Sequence, residues 1–549
     1  MDDNIRHVIL LALENRSFDQ MLGGLNADIP DIEGVSAAHS NIGSAKTYPQ
    51  APTTVRQLKI DPRHEQAHVE RQLAGNNGGF VEDLIASYPD CTESDREAIM
   101  GYYPSGFLPA LHRLARDFTV CDHWFSSVPG PTWTNRFFLL SGTSRGCVAM
   151  PGDDSKASGR PAFSRLTGWF AQRQDTLFDR LTEKGIHWKS YFHDVPQSSM
   201  LVHQWWPHNA ARYFYVDEFF RDAAAAEADF PQFSFIEPDY MGIDQNDDHP
   251  PLDVMKGERL IANVYNAIRA NPDLWNSTLL VVLCDEHGGF YDHVSPPKAV
   301  PPDEHTEEYA FDRLGVRVPA LLISPWVDRH VEKTQFDHTS LLKYLIEKWE
   351  LDPLGERAAA ANSIAIALRQ TTPRSDDIGV SRIELTPDEL APPDPELAEA
   401  DASSFAGQKA ALRDMAKFLR TKGSSVATTD GPRLLSAVAR GLEFIRGLLA
   451  YPLVWLSGGA GELRVSLTRP DKIARRTVTA REDFARHLMR TKQQAPAALA
   501  KRLSRTDLSP SEHEHDIRTL ALITRRRFHR EENRHDAVDK WLRKHRYRR

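Results

Sequence analysis

Two adjacent carboxylates, two histidines and two glycines occur together in Cys284-Asp285-Glu286-His287-Gly288-Gly289-Phe290-Tyr291-Asp292-His293, directly after the apolar run Leu279-Leu280-Val281-Val282-Leu283. The run reads as a buried strand opening into a turn. In open α/β sheets ligands bind outside the carboxyl ends of strands, and glycine there lets backbone approach a ligand closely. The segment His7 to Leu13 has the same form and runs into Glu14-Asn15-Arg16-Ser17-Phe18-Asp19. Glu14, Asn15, Asp285 and Glu286 are all hard oxygen donors of the kind a divalent cation takes. One acid at a strand end is more often a helix cap or a solvated residue. Two such ends in one chain point to metal chemistry.

A nucleophile is expected in Gly130-Pro131-Thr132-Trp133-Thr134-Asn135-Arg136-Phe137-Phe138, preceded by Ser126-Ser127-Val128-Pro129. The glycine and prolines force a turn, and the residues from Thr132 onward can begin a helix. A threonine at a helix N-terminus presents its hydroxyl to a phosphate held by backbone N–H groups and the helix dipole. Metal coordination would lower the hydroxyl pKa and activate it. Asn135 and Arg136 are placed to contact phosphoryl oxygens, with a structural role for Arg136 equally open. Taken alone, Thr132 reads as an ordinary N-cap.

Four blocks carry a resemblance: Glu14-Asn15-Arg16-Ser17-Phe18-Asp19; Gly130-Pro131-Thr132 with Asn135-Arg136; Asn246-Asp247-Asp248-His249-Pro250-Pro251; and Asp285 through Val294. In this order they resemble the bacterial and plant non-specific phospholipase C family, which includes AcpA-type acid phosphatases and belongs to the alkaline-phosphatase-like superfamily. The resemblance spans about the first two thirds of the chain. It implies a phosphoester hydrolase with one divalent metal held by Glu14, Asn15, Asp285 and Glu286 together with the Thr132 hydroxyl. Oxygen ligands admit Ca²⁺, Mg²⁺, Mn²⁺ or Zn²⁺. A threonine nucleophile is the phospholipase form and a serine the phosphatase form, so Thr132 favours a phospholipase C acting through a phosphothreonine intermediate. Trp133-Thr134 departs from the family's His-Pro or Asn-Pro pair, which leaves leaving-group specificity open. His64, in Asp61-Pro62-Arg63-His64, matches the family's Asp-Pro-x-His block, and His249 sits in the third block. Both are expected in the phosphate-binding or acid/base shell, with His287, His293 and Asp248 behind the metal ligands. His338 begins an apolar run, where a capping and a catalytic role weigh equally. A broad phosphomonoesterase and a catalytically silent membrane- or partner-binding relative are the competing readings.

The elements that must position these residues alternate along the chain. Strand-type runs at His7 to Leu13, Trp188 to Phe192, Gln232 to Ile236, Leu279 to Leu283 and Val318 to Ile323 are separated by helical stretches such as Glu258 to Arg269 and Thr339 to Glu350. This alternation predicts an α/β fold: an alkaline-phosphatase-like three-layer sandwich around a largely parallel sheet, plus a mainly helical C-terminal region. The expected division is a catalytic domain over 1–375, a Pro- and acid-rich connector with a helix over 376–430, and a basic helical region over 431–549. An uncharged stretch from Gly447 to Gly461 is shorter than the about 20 apolar residues a span needs. With Arg440, Glu443 and Arg446 upstream, 440–461 suits an interfacial helix, with a buried hairpin as its equal alternative. The basic tail through Arg549 suits anionic lipid, and no nucleic-acid motif accompanies it.

Substrate cues are thinner. The aromatics of Leu201 to Pro207 and Tyr213-Phe214-Tyr215 suit either a quaternary-ammonium box or core packing, with packing favoured. Asp239-Tyr240 and Asp244 to Asp248 form an acidic loop. A hydrophobic fraction of 41% with 26% charged residues is that of a soluble globular protein and does not choose its function. The four cysteines, Cys91, Cys121, Cys147 and Cys284, are too scattered for a disulfide framework or a zinc cage. No signal-peptide pattern precedes the first strand, so the expectation is cytoplasmic, with export by a route needing no cleaved signal as the alternative.

Overall fold

The computed structural model describes residues 4–149, 174–193, 196–198, 212–240, 245–375 and 378–391. Eight strands form the central sheet: β1 (His7–Leu13), β2 (Thr119–Cys121), β3 (Trp188–Phe192), β4 (Tyr213–Tyr215), β5 (Phe233–Glu237), β6 (Thr278–Cys284), β7 (Ala320–Ile323) and β8 (Val331–Glu332). Their spatial order is β8-β2-β7-β6-β1-β5-β3-β4. β7 runs antiparallel to both its neighbours, and every other adjacent pair is parallel. This is the largely parallel α/β sheet expected from the alternating pattern.

Every residue of β1 and β6 is buried, as it must be for adjacent central strands covered on both faces. Their register pairs Leu13 with Cys284. The residues that follow, Glu14-Asn15 and Asp285-Glu286, therefore emerge side by side at one edge of the sheet.

Four helices matter for the site: α1 (Phe18–Met21), α2 (Thr132–Ser141), α3 (Met255–Arg269) and α4 (His338–Trp349). α3 buries Leu260, Ile261, Val264, Tyr265 and Ile268, one helical face. α4 starts at a capping box between Asp337 and Ser340. α2 and α4 pack on each other.

Predicted and observed element bounds agree within a few residues for all five long strands and both helices. The short strands β2, β4 and β8, the last two at the sheet edges, carry too few residues for periodicity to reveal. Tyr213, Phe214 and Tyr215 form β4, and their rings pack on Trp188, Tyr191 and Phe192 of β3, which is the packing role. All four cysteines are free, with Cys284 buried on β6. Among the described residues no helix is long and apolar enough to cross a membrane. The aromatic stretch 201–207, the interfacial stretch 440–461 and the basic tail lie outside the described residues.

Candidate active site at the ends of two central strands

Backbone bonds lock the two strand ends together. The Asp285 N–H donates to Leu13 O at 3.1 Å, the Arg16 N–H to Glu286 O at 2.9 Å, and the Glu14 N–H to Asp247 O at 2.7 Å. Asn15 adopts a left-handed φ of 58°, a conformation asparagine tolerates better than most residues. Gly288 has φ 62° and packs so tightly that a Cβ would fall 2.2 Å from Asn15 O. Only glycine fits there, because both the backbone conformation and the space exclude a side chain.

Thr132 is the first residue of α2; the cap position belongs to Pro131. Its hydroxyl is therefore not spent on capping. The group is fully buried and donates to Asn15 Oδ1 at 3.5 Å. Asn135 holds the preceding loop: its Oδ1 accepts from Val128 N–H at 3.1 Å and its Nδ2 donates to the carbonyls of Val128, Gly130 and Pro131 at 3.2, 2.9 and 3.3 Å. All these bonds run to the chain just before Thr132, so Asn135 positions that loop.

Arg136, fully buried, donates from Nε to Asp285 Oδ2 at 2.7 Å, pairs with Glu14 Oε1 at 3.2 Å and donates to the Tyr240 hydroxyl at 2.8 Å. It stands between the two carboxylates. Behind it Glu237, at the end of β5, takes 3.4 Å contacts from the Tyr240 and Ser190 hydroxyls and a shorter bond from Ser198. Burial raises the Glu237 carboxyl above its usual range despite the Ser198 bond and the nearby Arg136 charge. Glu237 escaped the sequence reading, although the strand-end rule that found Glu14 applies equally to it. Gln197, which donates to Glu14 Oε1 at 3.3 Å, carries no comparable signal.

His64 Nε2 lies 3.1 Å from Asn15 Nδ2 and 4.0 Å from Glu286 Oε1. Burial pulls its pKa down, but the charges of Glu286, Asp61 and Glu65 outweigh burial and push it up to about 10. His249 packs edge-on against it with centroids 5.6 Å apart, and its Nδ1 faces Pro250 O at 2.5 Å and Asp61 at 3.9 Å. The two histidines of separate sequence blocks thus share one wall. His287 runs from Glu286 (3.4 Å) to Gln72 (2.8 Å), behind the ligand set.

His338 donates from Nε2 to Asp285 O at 2.7 Å, while its Nδ1 accepts from the Trp124 indole at 3.3 Å. Burial lowers its pKa to about 4, so it stays neutral and fixes the end of β6. Two residues sit elsewhere than the sequence suggested. The Asp248 carboxylate packs against Gly257, whose Cβ would fall 2.0 Å from it, and burial drives its pKa well up. His293 turns to Asp19 at 2.8 Å, because seven residues of turn carry it away from Glu286.

The donor set fits a divalent cation. Glu286 Oε1 is buried and accepts no hydrogen bond, a costly state for a carboxylate oxygen unless a cation meets it. Burial, opposed by Arg136 and reinforced by Glu286, raises the Asp285 carboxyl to about 7. Glu14, Asn15, Thr132, Asp285 and Glu286 would hold the ion.

The Phosphoesterase family model matches residues 5–352. The chain is similar to non-specific phospholipase C6 of Arabidopsis thaliana, at 32% identity over 480 residues covering 81% of this chain and 86% of that protein. It is also similar to phospholipase C A of Mycobacterium tuberculosis, at 28% identity over 393 residues covering 62% of this chain and 72% of that protein. Among solved structures, it aligns with murine ectonucleotide pyrophosphatase/phosphodiesterase 5 at 13% identity and a TM-score of 0.31, covering 46% of this chain and 93% of that one.

Proposed function

The chain belongs to the phosphoesterase family, and from that premise we propose that it is a phospholipase C that cleaves glycerophospholipids such as phosphatidylcholine into diacylglycerol and a phosphorylated head group. Its relatives include proteins named non-specific phospholipase C, enzymes that hydrolyse phosphodiester bonds. The observation that carries the reading is the convergence of the Thr132 hydroxyl with Asn15 at 3.5 Å, beside the ends of β1 and β6.

Thr132 Oγ1 attacks phosphorus from the start of α2, where the helix N-terminus favours the phosphate's charge. The bond to diacylglycerol breaks as the Thr132–phosphorus bond forms, leaving the head group on Thr132 as a phosphodiester. His64 gives a proton to the departing oxygen, with His249 beside it. The proton that Thr132 loses on attack goes to solvent. Water then attacks the same phosphorus, giving one proton to His64 and the other to Thr132 Oγ1, as the Thr132–phosphorus bond breaks and the phosphorylated head group leaves. Arg136 keeps Glu14 and Asp285 fixed in place throughout. A divalent cation bound by Glu14, Asn15, Thr132, Asp285 and Glu286 would supply Lewis-acid polarisation of a phosphoryl oxygen and lower the hydroxyl pKa.

The test is hydrolysis of phosphatidylcholine vesicles by the full chain with and without chelator, scoring phosphocholine and free phosphate separately. Phosphocholine release that requires both metal and Thr132 is expected. Free phosphate from simple monoesters without attack on lipid would reassign the protein as a phosphomonoesterase. Undiminished turnover by Thr132→Ala would remove the nucleophile assignment.

A further inference from the structure

Gln72 has no part in the steps above, yet its side chain ties the turn after β6 to the loop that carries His64. It ends the helix Gln66–Gln72 and is buried. Its Oε1 accepts from His287 Nε2 at 2.8 Å, and its Nε2 donates to Arg63 O at 2.7 Å and to Asp83 Oδ2 at 3.0 Å. These partners permit one orientation of the amide. Turned over, it would set its oxygen against a carbonyl and a carboxylate, which offer it no proton. Asp83, itself buried, also accepts from Arg71 Nε at 2.7 Å and faces His68 Nδ1 at 3.0 Å, so the donor end of Gln72 is held from behind.

Both ends of the amide bear on groups of the site. His287 directly follows Glu286, and its ring lies edge-on against Phe80 with centroids 5.8 Å apart. Arg63 directly precedes His64, whose Nδ1 faces Pro62 O of its own loop at 2.9 Å. The His64 imidazole therefore moves with the backbone of Pro62 and Arg63. That backbone is seated on Gly289, where a Cβ would fall 2.7 Å from Pro62 Cβ and 2.9 Å from Arg63 O. Packing of this kind stops the loop from coming closer to the turn but not from sliding along it. Directed hydrogen bonds fix the remaining freedom.

We propose that Gln72 is a positioning residue for the leaving-group proton: it holds the His64 loop in register with the turn that bears Glu286, and so keeps His64 where the diacylglycerol oxygen departs. The proposal rests on the phospholipase C reading above. Gln72 acts through His287 and Arg63, not by contact with substrate. A misplaced general acid harms a poor leaving group and spares one that departs as a stable anion.

Two phosphocholine esters read this difference. The full chain, saturated with the divalent ion that supports turnover, is given p-nitrophenyl phosphocholine and a short-chain phosphatidylcholine below its micelle concentration. Both substrates are dissolved and share a head group, and only the glycerol oxygen needs a proton to leave. The quantity compared is kcat/KM, which reports the first chemical step. Gln72→Met is expected to lower it roughly 10- to 100-fold for the short-chain lipid and to leave the nitrophenyl ester near the parent value. Unfolded protein lowers both rates alike, so their ratio reads positioning at any folded fraction. Should Gln72→Met not fold, Gln72→Asn keeps a buried amide that is one methylene too short to span both partners, and must shift the ratio in the same direction. Equal losses on both substrates, or no loss on either, would overturn the proposal. A parent protein that releases no phosphocholine from lipid would overturn the phospholipase C reading instead. The positioning role is then decided by crystal structures of the parent and Gln72→Met: the separation of His64 Nε2 from Glu286 Oε1, 4.0 Å in the parent, must change, and an unmoved His64 would overturn it.

Discussion

The turn between β6 and Val294 is pinned at each end by a buried arginine, and the two clamps share one plan. At the first, Arg136 joins Glu14 to Asp285, at 3.2 and 2.7 Å. At the second, Arg317 joins Asp19 to Asp292, at 3.0 and 2.9 Å. In each case one carboxylate follows β1 and the other follows β6. The surroundings differ. Around Arg317 the remaining carboxylate oxygens are spent: Asp292 Oδ2 accepts from the Asp19 N–H at 3.1 Å, Asp292 Oδ1 also accepts from Val294 N–H at 2.9 Å, and Asp19 Oδ2 takes Gln50 and His293. Around Arg136, Glu286 Oε1 accepts nothing, and a threonine hydroxyl and two histidines face the same wall. One carboxylate–arginine clamp is closed and structural. Beside the other, Glu286 Oε1 is left without a donor, which suits the cation and the reacting phosphate proposed for that end.

The largest effect should separate the two ends outright. Thr132→Ala lowers turnover of phosphatidylcholine on the order of 10⁴-fold or more, while chemical unfolding shows a stability within about 1 kcal/mol of the parent. Thr132→Ser keeps the attacking oxygen and retains measurable turnover. A Thr132→Ala protein that is inactive only because it is unfolded would show in the same unfolding curve.

Next come the arginines themselves. Arg136→Met and Arg317→Met each leave two buried carboxylates facing one another, which costs about 3–5 kcal/mol in chelator. The clamps then diverge: Ca²⁺ or Mg²⁺ restores much of the loss in Arg136→Met, because a cation can replace the guanidinium between Glu14 and Asp285, and restores little in Arg317→Met. Equal recovery in urea titrations of the two variants would erase the distinction between open and closed clamps.

A pH profile sharpens the same contrast. Burial raises the folded pKa of Asp285 to about 7, above the ordinary aspartate value of 3.8. The folded state therefore holds a proton that the unfolded chain has released, so metal-free stability falls as pH rises from about 4 to about 7. Asp19 is shifted the other way, downward, by His293, Arg317 and Gln50 outweighing burial; its contribution is present above its unfolded pKa and lost as pH falls through the folded one. In chelator, Asp285→Asn should flatten the decline between pH 4 and 7, measured by urea unfolding at several pH values. A slope unchanged by Asp285→Asn would show that the carboxyl is not the titrating group.

Strand ends were legible because β1 and β6 are unbroken apolar runs and both end in acids, so pattern alone located Glu14 and Asp285. Thr132 was legible from the glycine and prolines that force its turn. Position within the site was not legible, since it depends on which direction a turn takes after the strand. His293 lies in the same sequence block as Glu286, yet the left-handed glycines Gly288 and Gly289 reverse the chain and deliver it to Asp19. Asp248 likewise sits beside His249 in sequence but faces α3. Gln72 drew no attention, because only the folded chain brings it to His287, 215 positions further on.

The smallest effect concerns how the open clamp acquires its nucleophile. Asn135 makes four hydrogen bonds to Val128, Gly130 and Pro131, and nothing equivalent braces a reactive side chain at Arg317. Removing the amide in Asn135→Ala leaves the buried Val128 N–H and three carbonyls without that partner, which costs about 1–3 kcal/mol. It also lets Thr132 drift, and a displacement near 1 Å costs up to roughly 100-fold in rate. If Asn135 acts by positioning, kcat falls while KM stays close to the parent value, and Ca²⁺ affinity falls far less than kcat because Thr132 alone among the proposed metal donors moves. A direct hold on the bound phosphate would instead raise KM. A role confined to stability would lower the unfolding midpoint with kcat intact at a temperature where the variant is fully folded. Steady-state kinetics at low temperature, paired with a calcium titration of the same variant, distinguishes these outcomes.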